Sequence, residues 1–193
     1  MQQVMERLWI GPFSAARQKQ TMLDCRITHI LVIRDKNETN LVRPLYPDTF
    51  NYQIIEASDS PHHNLIPQLP RATHYIHSVL SVASNSILVH CNGGISRAPS
   101  ICIAYLMEFH GFAFPAAFQH IQNIRFCINP LEAFKYQLRE YEFMIQARRV
   151  SSAQLPSDAH GTRRARSASE DHDENDVRVW DREEGRFVFS PRE

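Results

Sequence analysis

The chain has no excess of either charge, lacks a long apolar run and carries few cysteines. Each shortage excludes a class of protein. Lysine and arginine total 21, aspartate and glutamate also total 21, and with neutral histidines the net charge is zero. A protein that grips nucleic acid by its phosphates carries a basic excess, so that class is set aside. No stretch approaches the ~20 apolar residues a bilayer-spanning helix needs, so no membrane role is expected. The N-terminal Met1-Gln2-Gln3-Val4-Met5-Glu6-Arg7 lacks the apolar core and cleavage site of a secretory signal. Cys25, Cys91, Cys102 and Cys127 show neither Cys-x-x-Cys nor zinc spacing. Reduced thiols in a cytoplasmic or nuclear protein are therefore expected, and a disulfide scaffold is not.

What is present reads as one domain with an appendage. Leu8-Trp9-Ile10 is a short apolar run closed by the turn Gly11-Pro12. Ser14 can cap a helix through Asp24. His29–Ile33, Tyr52–Ile55 and Ile87–Val89 are short, β-branched runs of buried-strand type. Leu65 to Ala83 repeats apolar residues at helical spacing, and Ala98 to Phe109 is an apolar helix stopped before Gly111. Pro115 opens a helix over Ala116–Asn123. Asn129-Pro130 opens another over Leu131–Arg148, with Phe134, Leu138, Tyr141 and Ile145 on one face. Strands early and helices late predict an α/β fold over residues 1–150, a small sheet with helices packed on it.

From Ser151 the composition changes. A basic stretch, Arg163-Arg164-Ala165-Arg166, precedes an acidic one from Glu170 to Asp176, and residues 151–193 are expected to be a disordered tail. Val177, Val179, Trp180, Phe187, Val188 and Phe189 offer the alternative of a docking segment that orders on a partner. Arg164-x-Arg166-x-x-Ser169 fits a site for a basophilic kinase, or a solvated polar stretch. The tail holds seven arginines and ten acidic residues, leaving 14 basic and 11 acidic in residues 1–150. A zero total thus divides into a mildly basic domain, suited to phosphorylated partners, and a mildly acidic tail.

The chemistry lies in Ile87-Leu88-Val89-His90-Cys91-Asn92-Gly93-Gly94-Ile95-Ser96-Arg97, which reads strand, glycine turn, helix. A tight turn between strand and helix directs successive backbone N–H groups inward as an anion nest. The helix N-terminus adds its partial positive charge. Arg97 suits two oxygens of one phosphate, which a lysine grips less well. The same field stabilises a thiolate on Cys91, placing a nucleophile beside the bound anion. Cys-x5-Arg alone is a weak signal. The apolar strand before it, Gly94, the Ser96-Arg97 pair and the apolar helix after it make it specific.

His90-Cys91-x-x-Gly94-x-x-Arg97 resembles the signature of the cysteine-dependent protein phosphatases, and residues 6–145 resemble a small dual-specificity phosphatase domain. The chain is most similar to the serine/threonine/tyrosine-interacting (STYX) subgroup. That likeness is carried by Ile27-Thr28-His29-Ile30, Val32-Ile33-Arg34, Gly94-Ile95-Ser96-Arg97, Arg125-Phe126-Cys127-Ile128-Asn129-Pro130 and Gln137-Leu138-x-Glu140-Tyr141-Glu142. The subgroup is best known for a pseudophosphatase with glycine at the nucleophile position; here the residue is Cys91. The resemblance implies a protein tyrosine phosphatase-like fold with a small central mixed sheet flanked by helices. It implies phosphoprotein phosphatase activity of dual-specificity type, through a phosphocysteine. Cys91 and Arg97 would be catalytic, residues Asn92, Gly93, Gly94, Ile95, Ser96 and Arg97 would hold phosphate, and His90 would tune the thiolate. No metal or cofactor is called for. The partners implied are phosphorylated proteins, mitogen-activated protein kinases among them, met by a monomer.

Such an enzyme also needs an acid to protonate the leaving oxygen. Between Asp48 and Cys91 the only carboxylates are Glu56 and Asp59. Asp59 sits in the turn-like Ala57-Ser58-Asp59-Ser60-Pro61, 32 residues before Cys91, a spacing similar to that of dual-specificity phosphatases. It is assigned as the acid; Glu56 continues a strand and is less free to swing. The plainer role for Asp59 is an Asx-turn cap. Two residues depart from the family pattern: Ala98 replaces the usual Ser or Thr after the loop arginine, and Leu131 replaces an Asn. Both keep open a STYX-like pseudophosphatase that binds phosphoproteins without efficient turnover. Arsenate reduction and sulfur transfer also use Cys-x5-Arg, but the central motif and the Asp59 spacing argue against them. His62, His63, His74 and His77 lack a carboxylate or cysteine to complete a metal set. Cys25, Cys102 and Cys127 are read as core thiols. Arg125 is either a second substrate contact or a surface ion pair.

Overall fold

A computed structural model describes residues 1–153, 176–181 and 186–191. The chain divides into two compact units, Met1–Leu155 and Pro156–Glu193. In the first unit, strands β1 (Gln2–Met5), β2 (Leu8–Pro12), β3 (His29–Arg34), β4 (Asn51–Glu56) and β5 (Ile87–Cys91) form a sheet in the order β1-β2-β5-β3-β4. β1 runs antiparallel to β2, and the remaining pairs are parallel, so the sheet is mixed, as the resemblance implied. The helices are α1 (Phe13–Ala16), α2 (Lys19–Asp24), α3 (Gln68–Leu80), α4 (Arg97–His110), α5 (Phe114–Ile124) and α6 (Glu132–Ala153).

The central strands β3 and β5 carry continuous apolar runs, Ile30–Ile33 and Ile87–Val89, because both sheet faces are covered there. Alternating side chains part to opposite faces. Leu31, Ile33, Ile87 and Val89 join the core under α3–α6, while Ile30, Val32 and Leu88 meet Met22, Val42 and Phe50 on the other face. β5 therefore runs through the middle of the domain, and its C-terminal end delivers Cys91 to the edge where parallel strands open onto a ligand crevice. α4 is buried from Arg97 to Met107. Glu108 anchors it by accepting from Thr73 Oγ1 of α3 and Tyr141 OH of α6, each at 2.5 Å.

Several elements differ from the sequence expectation. The helix expected from Ser14 to Asp24 is two short helices, with a break at Arg17–Gln18. β1 was not anticipated; it is four residues long and has one fully buried side chain, Val4, too little alternation to read. A single 3-10 turn, Lys36–Glu38, also had no apolar pattern to announce it. Cys102 is buried as expected, but Cys127 is exposed and Cys25 only half-buried, so the core assignment fails for Cys127.

In the second unit, β6 (Asp176–Asp181) and β7 (Arg186–Pro191) pair antiparallel. These two strands lie within the stretch expected to be a disordered tail: β-branched and aromatic residues cluster there, with the register Val179 to Val188 and Trp180 to Phe187. α6 also carries the first unit past residue 150, to Ala153. The basic stretch and the Ser169 kinase site lie outside the described residues.

Candidate active site

The phosphate loop is shaped from behind. The carbonyl of Asn92 accepts from Phe13 N at 2.9 Å, and that of Ile95 accepts from Asn129 N at 2.8 Å. Arg125 donates Nε to Gly94 O at 2.8 Å and Nη2 to Gly93 O at 3.2 Å. The carbonyl of Ser96 accepts from Ser100 N at 3.1 Å. All these peptides are trans, so a carbonyl turned outward sends the following N–H inward. Gly94 N, which donates to Cys91 Sγ at 3.2 Å, shows the result. Arg125 thus serves as a clamp on the loop rather than either expected role. Gly94 has φ +63°, and a Cβ there would fall 2.5 Å from the Gly11 carbonyl. Only glycine fits where the loop crosses the end of β2.

Ser96 is the N-cap of α4, yet its hydroxyl does not cap the helix. It donates to Asp59 Oδ1 at 2.7 Å and accepts from Leu131 N at 3.3 Å. The first N–H groups of α4 are thereby left for an anion. Sequence reasoning placed Ser96 among the residues expected to hold phosphate; its side chain ties the loop to Asp59. Glu56 stays on β4 with Lys36 at 3.7 Å and does not line the site.

Arg97 is 3 % exposed and already holds a carboxylate. Its Nη1 and Nη2 donate to Glu38 Oε2 and Oε1 at 2.5 and 3.0 Å, and Nη1 also donates to Ala57 O at 3.2 Å. The Arg97 hydrogen bonds hold the Glu38 carboxyl below its usual range, against the opposing effect of burial. Glu38 is the functional residue the sequence did not reveal. The available sign was the capping-box spacing Asp35-x-x-Glu38 just after β3, at the strand end where ligands gather.

His90 is buried in β5, with Nδ1 3.3 Å from Cys91 O and its ring 5.9 Å from that of Phe13. Burial pushes its imidazole down to about 4. It is neutral at physiological pH, so any influence on Cys91 passes through the loop backbone. Cys91, Arg97, Asp59 and Glu38 line one cavity of about 380 Å³, with Asn92, Gly93, Ile95, Ser96, Asn129 and Leu131. A second cavity of about 530 Å³, lined by Asp35, Lys36, Glu56, Ala57, Ser58 and His63 among others, contains no cysteine.

A buried cysteine under inward amides, an arginine at a helix start and a loop aspartate define a cysteine-dependent phosphatase fold. Residues 8–144 match the dual specificity phosphatase catalytic domain, and the chain belongs to that family. Over 150 residues it is 37% identical to serine/threonine/tyrosine-interacting protein A of Xenopus laevis, covering 77% of this chain and 67% of that protein. It is 33% identical over 142 residues to human dual specificity protein phosphatase 22, covering 74% and 73%. The crystal structure of human tyrosine phosphatase-like serine/threonine/tyrosine-interacting protein superposes with a TM-score of 0.73 at 36% identity, covering 76% of this chain and 97% of that one.

Proposed function

We propose that the domain is a phosphoprotein phosphatase of dual-specificity type. The observation that carries this is the convergence of Cys91 Sγ, the Arg97 guanidinium and the Asp59 carboxyl on one cavity floored by loop amides. In the first step the Cys91 thiolate attacks phosphorus. An S–P bond forms, the P–O bond to the substrate breaks, and Asp59 gives its proton to the leaving oxygen. Arg97 and the loop amides hold the equatorial oxygens, where charge develops. In the second step Asp59, now a carboxylate, takes a proton from water. The water oxygen attacks phosphorus, the S–P bond breaks, and phosphate leaves with the thiolate restored. The substrates are phosphotyrosine and phosphoserine or phosphothreonine in proteins, with mitogen-activated protein kinases as the partner class inferred from the family.

Ala98 and Leu131 favour a second reading, in which the second step is slow and the domain binds phosphoproteins more than it turns them over. Assay of the protein on an aryl phosphate and on phosphopeptides separates the two. Turnover that disappears in Cys91→Ser supports the phosphatase. Activity that survives the substitution removes the proposed nucleophile, and phosphopeptide binding without turnover supports the second reading.

A further inference from the structure

A guanidinium has five N–H donors in a fixed plane. In Arg97 the end formed by Nη1 and Nη2 is filled by Glu38, and the remaining Nη1 hydrogen goes to Ala57 O. That leaves Nε–H and one Nη2–H, adjacent on one edge. Nε is buried and has no hydrogen-bond partner. Asp59 Oδ2 stands off this edge at 3.9 Å, an ion-pair distance too long for a hydrogen bond. The open edge has the spacing of a two-pronged grip on a tetrahedral oxyanion.

Glu38 is itself held. Its Oε2 also accepts from Asp35 N at 2.8 Å, while Asp35 Oδ1 accepts from Asn37 N at 2.8 Å, so the carboxylate is the closing member of a capping box. A buried arginine side chain can roll about its terminal bonds, and each roll presents a different pair of donors. A carboxylate fixed by its own turn and bound to both η nitrogens permits one.

We propose that Glu38 is a positioning residue of the phosphoryl site, setting the roll of Arg97 so that its Nε/Nη2 edge faces the transferring group. This rests on the phosphatase reading above. The arrangement costs ground-state affinity, because a resident negative charge lies beside an incoming dianion. Its benefit falls on the transition state, where a grip out of alignment loses most.

The test is a pair of measurements on the full chain: phosphocysteine formation with an aryl phosphate in a single turnover, and calorimetric binding of inorganic phosphate. Glu38→Gln is expected to slow phosphocysteine formation about tenfold while phosphate binds as tightly as before or more tightly. Asp35→Ala, which removes the side-chain acceptor for Asn37 N and leaves the Glu38 carboxylate in place, is expected to give the same split, about threefold, and serves if Glu38→Gln does not fold. Lys36→Ala, on the exposed side of the same turn, is expected to match the wild type. A rate within twofold of wild type in both variants overturns the proposal. So does parallel loss of rate and phosphate affinity, which is what simple disruption of the loop produces. If the wild type neither binds phosphate nor forms phosphocysteine, the phosphatase reading fails and the role of Glu38 with it.

Discussion

The hydroxyl of Ser96 donates to Asp59 Oδ1 at 2.7 Å, so the loop proposed to cradle phosphate also grips the proposed acid of the leaving group. This contact makes a prediction that depends on the substrate. An activated aryl phosphate leaves without needing a proton, whereas a phosphotyrosine peptide does need one. Ser96→Ala is expected to lower kcat/KM about tenfold on the peptide and under threefold on the activated ester. Equal losses on both would assign the contact to loop shape alone.

Arg125 should behave as a clamp. Arg125→Leu removes donors to Gly93 O and Gly94 O and to Gln2 Oε1. Hydrogen bonds to charged groups are worth about 1.5–3 kcal/mol, and these three come from one partly exposed side chain, so water takes up much of their combined loss. Denaturant unfolding should show a loss of about 2 kcal/mol, with phosphate affinity falling in parallel. A variant of unchanged stability that lost only peptide affinity would make Arg125 a substrate contact.

The two loop glycines should respond differently. Gly94→Ala places a methyl group 2.5 Å from the Gly11 carbonyl at a φ of +63°. The expected cost is on the order of 3 kcal/mol. At Gly93 the added Cβ would meet the Ile95 side chain, with Cδ1 nearest at 3.4 Å, an ordinary contact, and the cost should stay under about 1 kcal/mol. Thermal unfolding of both variants checks the contrast.

His90 ties stability to pH. Folded, its imidazole resists protonation down to about 4; unfolded, it protonates near its ordinary ~6.5. Between those values the unfolded chain binds the extra proton, so stability rises with pH across the window and is lost as pH falls through it. Between pH 7 and pH 5 the contribution lost is about 2 kcal/mol. Urea midpoints at the two pH values should differ less in His90→Gln than in the wild type. An unchanged difference would place the effect elsewhere.

Much of this site could be read from the chain alone, for a physical reason. Cys91 and Arg97 lie within one strand–turn–helix unit, where spacing along the sequence fixes spacing in space. Asp59 was reachable because few carboxylates precede Cys91 and it sits in a turn. Glu38 was not reachable. It approaches Arg97 across 59 positions of sequence, through the parallel pairing of β3 with β5, and no local pattern encodes that meeting. Ser96 was found as a loop residue, but its side-chain bond to Asp59 spans 37 positions and no local pattern encodes it. The strands buried on both faces were legible as continuous apolar runs. β6 and β7 were obscured by the charged residues before and between them.

Ala98 is fully buried at the start of α4, at the position where the family resemblance implies a hydroxyl that helps the thiolate leave. If hydrolysis of the phosphocysteine limits turnover, Ala98→Ser should raise kcat severalfold and shrink the burst of leaving-group release. A burst of unchanged size would locate the slow step elsewhere.

The central claim is that Cys91 takes the phosphoryl group. Acid quench of the protein within one turnover of an aryl phosphate, followed by peptide mass analysis, addresses it directly. The account predicts one phosphoryl group on the peptide containing Cys91, formed at the rate of leaving-group release and absent in Cys91→Ser. Leaving-group release at that rate with Cys91 unmodified would contradict it.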